Sequence, residues 1–439
     1  MPAEDTGQSR LLQLGYLQQL PRVLSWQQNA AICISLVSAT TGISGLFGIG
    51  LAYGGPGSLV WGWLLVSVFT FFTALSMSEI CSSLPTAGGI YYWSYMLSGR
   101  HGPFAGWFTA HINFVGQVAF VASNEYLCIQ LFTTWISLAH LGAETALEHT
   151  SVSDTTQSAT QQSGGMMPMQ TQTAGTAYQG KCTLAWIAIM IIVTPHKQPV
   201  QVILTTFQDY ESVFYPGNET GGQLPAAQVM WDAFKIRFGS GAGSLLVLAI
   251  PVGTSFLSGL FSVTSAARTL YGAARDGSIA VLQPYAAVSS YAKAPVTSVC
   301  LVSALAFVPA FSILASPYIF LAVTSIATIG LAFSYAAAIF CRIALARSHF
   351  QPGRFNLKRW SYPCGVIAVG WSIFMCIIFS LPPVYPVTMV SFNFSPMALL
   401  LVSIWVGATW LCWARFWYKG PAPHICNSDV VKVKPHAWT

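Results

Sequence analysis

Along most of the chain, apolar residues run for twenty or more positions without the polar alternation of a half-solvated helix or strand. A helix crossing a bilayer needs roughly 20 mostly apolar residues. Eight stretches meet that length: 28–52, 57–80, 104–138, 244–271, 295–315, 317–341, 364–386 and 396–418. Each predicts a membrane-spanning α-helix, so the expected fold class is all-α and polytopic. The pattern lapses twice. Residues 139–182 are rich in Ser, Thr, Gln, Gly and Met, bury too little apolar surface to offset ordering, and are expected to form a disordered outer loop. The apolar run Thr183–Thr194 is too short to span unaided, and Pro195 and Pro199 on either side of Lys197 break its continuation. The expected order is therefore an N-terminal segment 1–27, three spans within 28–138, the loop 139–182, a remnant apolar segment and outer loop 183–243, five spans within 244–418, and a tail 419–439.

Composition explains why these runs belong in lipid. Hydrophobic residues make up 54% of the chain and charged residues only 7%, against about 25% charged in soluble domains. Residues 1–26 are polar and mixed, without a cleavable-signal pattern, so the first span is expected to act as its own insertion signal. Charge then orients the spans. With a cytoplasmic N-terminus, fifteen Lys and Arg fall on inside segments and only Lys181, Lys197, Lys235 and Arg237 outside, as the positive-inside bias requires. Both termini are thereby expected in the cytoplasm, in the plasma membrane or an endomembrane. Two N-glycosylation sequons, at Asn218 and Asn393, fall on the expected outside, the second weakened by Pro396.

Candidate chemistry is sparse. The ten cysteines include no Cys-x-x-Cys pair, and most lie in apolar runs, where cysteine acts as a small hydrophobe. No metal, cofactor or nucleic acid is implied. Gly175–Cys182 resembles a phosphate-binding loop but has no Ser or Thr after Lys181. No catalytic triad, nucleophile elbow or metalloprotease pair appears, so the chain reads as a non-enzyme.

What stands out is polarity at membrane depth. Thr40–Gly45 interrupts the first apolar run with glycine and hydroxyl residues. Such a cluster either packs helices closely or breaks a helix so that freed N–H groups of Thr41, Gly42, Ile43, Ser44 and Gly45 face an anionic substrate group. Glu79 closes the second run and reads mainly as an interfacial acid capping helix ends. Glu125 lies deeper, where an unpaired carboxylate is paired, wetted or protonated; it is the best lone proton-handling candidate. Gln117 and Asn124, seven residues apart, share a helix face and either line a cavity or bond neighbouring helices. Thr254, Ser255, Ser258, Thr324, Ser325 and Thr328 are hydroxyls that satisfy local carbonyls or become ligands if they face a cavity.

Several of these residues sit in longer motifs: Leu14-Gly15-Tyr16, the Thr41–Gly45 segment, Gly62-Trp63, Glu79-Ile80-Cys81 through Tyr92-Trp93, Phe234 to Gly241, Arg275-Asp276-Gly277, Ser325 to Gly330, and Tyr385-Pro386. Together they resemble the amino acid–polyamine–organocation superfamily, in particular plant bidirectional amino acid transporters and fungal γ-aminobutyric acid and choline permeases. The resemblance covers roughly the first 140 and last 210 residues. It implies a leucine-transporter-like inverted-repeat fold of twelve spans, alternating access, and secondary transport of amino acids or related amines with a coupling proton or cation. It places the substrate carboxylate at Thr41–Gly45; Gln117, Ser255 and Ser258 are the further candidate contacts from the polar positions above. Members carry four spans between the third helix and the region matching 205–243, where this chain has a polar loop. The implied fold is thus incomplete, with about eight spans, and an even deletion keeps the later spans in their family orientation. The competing reading is a non-transporting membrane protein that assembles with or regulates an intact permease.

Overall fold

A computed structural model describes residues 25–37, 39–86, 88–151, 214–222, 224–278, 285, 295–313, 317–347, 350–382 and 392–421. Among these the chain is helical, without strands. The principal helices are α1 (Trp26–Val37), α2 (Ala39–Ser83), α3 (Ile90–Leu97), α4 (Gly102–Ser151), α5 (Pro225–Phe238), α6 (Ser244–Arg275), α7 (Val296–Ile313), α8 (Pro317–Phe340), α9 (Ser361–Ser380) and α10 (Ser395–Thr409). Among the described residues, six helical stretches are long and apolar enough to cross a membrane: Leu64–Ser83, Gly99–Ala143, Gly241–Arg275, Ile319–Leu345, Lys358–Ser380 and Ser395–Trp417. These match six of the eight expected spans. Of the other two, 295–315 appears as the shorter apolar helix Val296–Ser312, and 28–52 is divided between α1 and the start of α2.

Local chemistry sets several boundaries. Ser25 opens α1 with a reciprocal capping box: its N–H donates to Gln28 Oε1 at 2.8 Å, and the Gln28 N–H donates to Ser25 Oγ at 3.3 Å. Pro225 begins α5, where a missing N–H costs nothing, and Gly239 ends it at φ 75°, a left-handed conformation that favours glycine. Before α3 the chain turns through Gly89 at φ 58°, in the left-handed region that favours glycine.

The structure corrects three boundaries. Helix α2 is continuous across 52–57, so the first two expected spans are not separate hairpin partners. At about 1.5 Å per residue, its 45 residues rise about 67 Å, and among the described residues Leu64–Ser83 is a membrane-length apolar part of it. Helix α4 runs on to Ser151, so 139–151 is not loop: Ala143, Ala146, Leu147 and Glu148 are strong helix formers, and Leu138 and Leu141 pack with Trp231 and Leu248. Within the expected outer loop 183–243 stands α5. The rest of 139–213 lies outside the described residues.

Helix α4 is the hub, packing against α3, α6, α7, α8 and α10. Its contact with α8 is backbone to backbone. A Cβ placed on Gly116 would lie 3.0 Å from the Leu331 N and 3.2 Å from the Gly330 carbonyl carbon, and one on Gly330 would lie 3.0 Å from the Gly116 Cα. Small residues at such a crossing supply the close van der Waals contact that holds helices together when lipid surrounds them.

Candidate functional site

Halfway along α4, polar side chains turn inward instead of towards lipid. Ser258 of α6 donates to Asn124 Oδ1 of α4 at 3.4 Å, while Asn124 Nδ2 donates to Phe120 O at 3.3 Å. The next residue back, Ser123, donates to Ala119 O at 2.9 Å and lies 3.3 Å from Thr324 Oγ1 of α8. Three helices therefore meet in one polar layer inside an apolar bundle. On α6 the inward face is built from small hydroxyls at helical spacing: Ser255, Ser258 and Ser262 are all buried. Their positions follow from i, i+3 and i+7 periodicity. Pro251 removes one backbone donor from α6, and Thr254 and Ser255 hydroxyls donate to Pro251 O and Val252 O in that turn.

The structure brings together only part of the expected site. Asn124 and Ser258 meet directly, and Ser255 lies one turn away but spends its hydroxyl hydrogen on its own helix. Gln117, two turns before Asn124, is half-buried. Glu125 is half-buried too, with no ion pair among the described residues. The expected interruption at Thr41–Gly45 is not seen there: these residues lie within helix α2, and their side chains are outside the described residues. Leu46, next in sequence, is buried in the cluster containing Ala119 and Ala122 of α4 and Ala266 of α6. The segment therefore enters the bundle beside the polar layer. Its glycines and hydroxyls do not break the helix, because single glycines cost a helix interior only about 1 kcal/mol each.

His111 and Asn113 are among the buried polar residues on α4 that the residue pattern did not single out. His111 Nδ1 donates to Trp107 O at 2.9 Å, and the ring packs against the Trp107 and Trp405 rings. Asn113 is 2% exposed, and its Oδ1 has no hydrogen-bond partner among the described residues. An ionisable ring and an amide within the run 104–138 were the available signals, since polar groups at membrane depth are functional candidates.

The end of the bundle holding the α2 C-terminus and the α9 N-terminus carries a second polar group. Glu79 is 2% exposed. It accepts from Ser361 Oγ at 2.5 Å, and Arg342 Nη2 stands 4.0 Å from its other oxygen. Arg342 also covers the Phe350 ring at 3.7 Å. Nearby, Tyr91 donates to Asp276 at 2.8 Å, Arg275 pairs with Asp276 at 2.9 Å, and Ser278 and Tyr418 hydroxyls lie 2.6 Å apart. Burial raises the Tyr418 phenol well above its ordinary value, keeping it neutral. Glu79 thus joins α2 to α9, in keeping with a structural role.

At the opposite end, Asn218 Oδ1 accepts from the Thr220 N–H, the Thr220 hydroxyl and the Gly222 N–H. Glu219 pairs with Lys235 at 2.8 Å. Burial pushes the Glu219 carboxyl up, but the Lys235 hydrogen bond and charge, its own backbone and Gln228 outweigh this and hold it at about 2. Asn393 is buried. Its Nδ2 donates to Phe379 O and Leu381 O at 2.8 and 3.0 Å, and its Oδ1 accepts from the Ser395 N–H and hydroxyl.

A family model described as amino acid permease matches residues 24–207 and 214–404. The chain belongs to the amino acid permease family. It is 32% identical to the "Amino-acid permease BAT1 homolog" of Oryza sativa subsp. japonica over a 505-position alignment covering 96% of each chain. It is equally identical to "Amino-acid permease BAT1" of Arabidopsis thaliana over 518 positions, 97% of this chain and 98% of that one. Over 85 residues, 19% of the chain, it is 42% identical to the "GABA-specific permease" of Saccharomyces cerevisiae, of which 15% is covered. Both plant alignments are longer than the 439 residues here, so these relatives carry internal residues that this family member lacks. Family membership makes it an integral, multi-pass membrane protein of amino acid transport, in keeping with its apolar helices.

Proposed function

We propose that the chain moves an amino acid or a related amine, such as γ-aminobutyric acid or choline, by alternating access, with both termini cytoplasmic. The observation that carries this reading is the polar layer where Asn124 meets Ser258 and Ser123 meets Thr324, where α4, α6 and α8 meet inside the bundle. In this reading, the backbone of Thr41–Gly45 receives the substrate carboxylate, Gln117, Ser255 and Ser258 flank it, and Glu125 handles a coupling proton. The packing of Leu46 beside α4 and α6 supports the first assignment. The short match to a GABA-specific permease supports including that amine among test substrates. Uptake of radiolabelled amino acids and γ-aminobutyric acid in a permease-deficient host tests the reading, and no uptake above the empty host sinks it. Gly42→Leu abolishes the uptake, since its side chain would occupy the space of the substrate's charged end; undiminished uptake in that variant removes the site assignment.

A second reading has its own support in the internal residues that the plant relatives carry and this chain lacks. Without them a pocket built between two repeats loses part of one wall. The chain then acts by assembling with an intact permease. Co-purification with such a permease and altered uptake by it, with none by this chain alone, distinguish this reading from the first.

A further inference from the structure

The charged end of the bundle contains a cavity of about 670 Å³ between the start of α4 and the C-terminal end of α10 with its helical continuation to Trp417. Arg100, His101, Arg415 and Lys419 line it, together with Phe104 and Trp410, and among the described residues no carboxylate does. Arg100 Nε donates to His101 Nε2 at 2.9 Å, which draws those two side chains together. Arg100, Arg415 and Lys419 are exposed, and none forms an ion pair among the described residues. By contrast, Arg275 and Arg342, at the same end, both stand within ion-pair distance of buried acids. A concave site with converging cations and no anion of its own attracts a negatively charged group.

The surroundings identify the class of anion. Gly407 is part of the wall, and a Cβ placed there would meet nothing within 4 Å. With Ile404 and Leu411, 59% and 58% exposed, it lies on one face of the helix at i, i+3 and i+7. The cavity therefore opens along an apolar track on the lipid-facing side of α10, the least buried of the six candidate spans. Trp410 and Tyr418 flank it, as aromatic residues do at the headgroup level. A soluble phosphate would use the cations and leave the track idle, whereas a phospholipid uses both.

We propose that this cavity binds the headgroup of an anionic phospholipid, whose phosphate sits among Arg100, Arg415 and Lys419 while one acyl chain follows Ile404, Gly407 and Leu411. Basic pockets at membrane-helix ends bind such headgroups through the same combination of charge and apolar contact. The proposal rests on the bilayer placement shared by this family and is independent of whether the chain transports.

The test uses the purified full chain in a neutral detergent, titrated with dioctanoyl phosphatidylglycerol, dioctanoyl phosphatidylcholine and glycerol 3-phosphate, with bound molecules counted by native mass spectrometry. Phosphatidylglycerol is expected to bind at least tenfold more tightly than phosphatidylcholine, and glycerol 3-phosphate to leave no adduct at the same concentration. Arg415→Gln combined with Lys419→Gln should weaken phosphatidylglycerol binding about thirty-fold, from the usual contribution of two cations near a membrane surface. Gly407→Leu fills the open track without touching a charge and should weaken it about tenfold. Because that side chain enters open space, this variant carries the test even if the double charge variant loses its monodisperse elution. Equal binding of the two lipids, or unchanged binding in Gly407→Leu, overturns the proposal. Glycerol 3-phosphate bound as tightly as the lipid would make this a soluble-phosphate site and overturn the lipid assignment.

Discussion

Replacing Gly330 by alanine adds one methyl group at the point where α4 and α8 touch through their backbones. The added Cβ would stand 3.0 Å from the Gly116 Cα and 3.3 Å from the Ile112 carbonyl oxygen. Ordinary carbon contacts need about 3.5–4.0 Å, so the helices must part by about half an ångström. Neither neighbour is the flexible end of a side chain, and overpacking of this kind costs about 1–3 kcal/mol. Alanine also favours a helix interior over glycine by roughly 0.5–1 kcal/mol. Gly370 of α9 supplies the control, because a Cβ there meets nothing within 4 Å. Between the two Gly→Ala variants the propensity gain cancels, leaving a difference of about 1–3 kcal/mol from the crossing alone. Thermal denaturation of each variant in the same detergent, followed by size-exclusion of the surviving folded fraction, measures that difference. Gly330→Ala should melt below the wild type, and Gly370→Ala at or above it. Parting the helices also strains the Ser123–Thr324 contact two turns along α4, so any ligand stabilisation should fall in parallel. If the two variants melt together, the helices do not meet as closely as the structure shows, and the account of the hub is wrong.

Arg342→Met leaves Glu79 buried opposite no cation, which costs about 3 kcal/mol; Glu79→Gln added to it should recover most of the lost melting temperature, and a wild-type melt for Arg342→Met alone would refute the pairing. Expressed in a glycosylating host, Asn218→Gln should remove the glycosidase-sensitive mass, while Asn393→Gln leaves it unchanged, because both hydrogens of the Asn393 amide are spent on Phe379 and Leu381 carbonyls; the opposite pattern would reverse the assignment. Glu219, held at about 2, lies below its ordinary value of 4.5, so its stabilisation is complete above about pH 4.5 and is lost as pH falls towards 2. Asp232, raised chiefly by burial, works in the opposite direction, so comparison with Glu219→Gln isolates the Glu219 contribution. Hydrogen exchange at 218–228, corrected for intrinsic rates, should speed up between pH 5 and 3 in the wild type and change less in Glu219→Gln; equal acid sensitivity would refute the linkage.

Membrane residence was legible from the sequence because it depends on run length and composition alone: hydrocarbon admits long apolar helices and little else, whatever their neighbours. Six spans appear where the apolar runs lie, and the motifs around Glu79–Trp93 were specific enough to indicate the family. Helix ends were less legible. The apolar runs 28–52 and 57–80 read as separate spans, but helix α2 runs on through 52–57, and α4 outruns its expected end because Leu138 and Leu141 find partners on α5 and α6. Where a helix stops depends on what it packs against, and those partners are distant in sequence. The candidate site divides in the same way. Polar residue types at membrane depth could be picked out one at a time, including Asn124, Ser258 and Glu125. That Asn124 reaches Ser258, that Gly116 and Gly330 bring two backbones together, and that Arg100 and Arg415 converge on one cavity were decided only by the tertiary structure, because each depends on how helices far apart in sequence are rotated against one another.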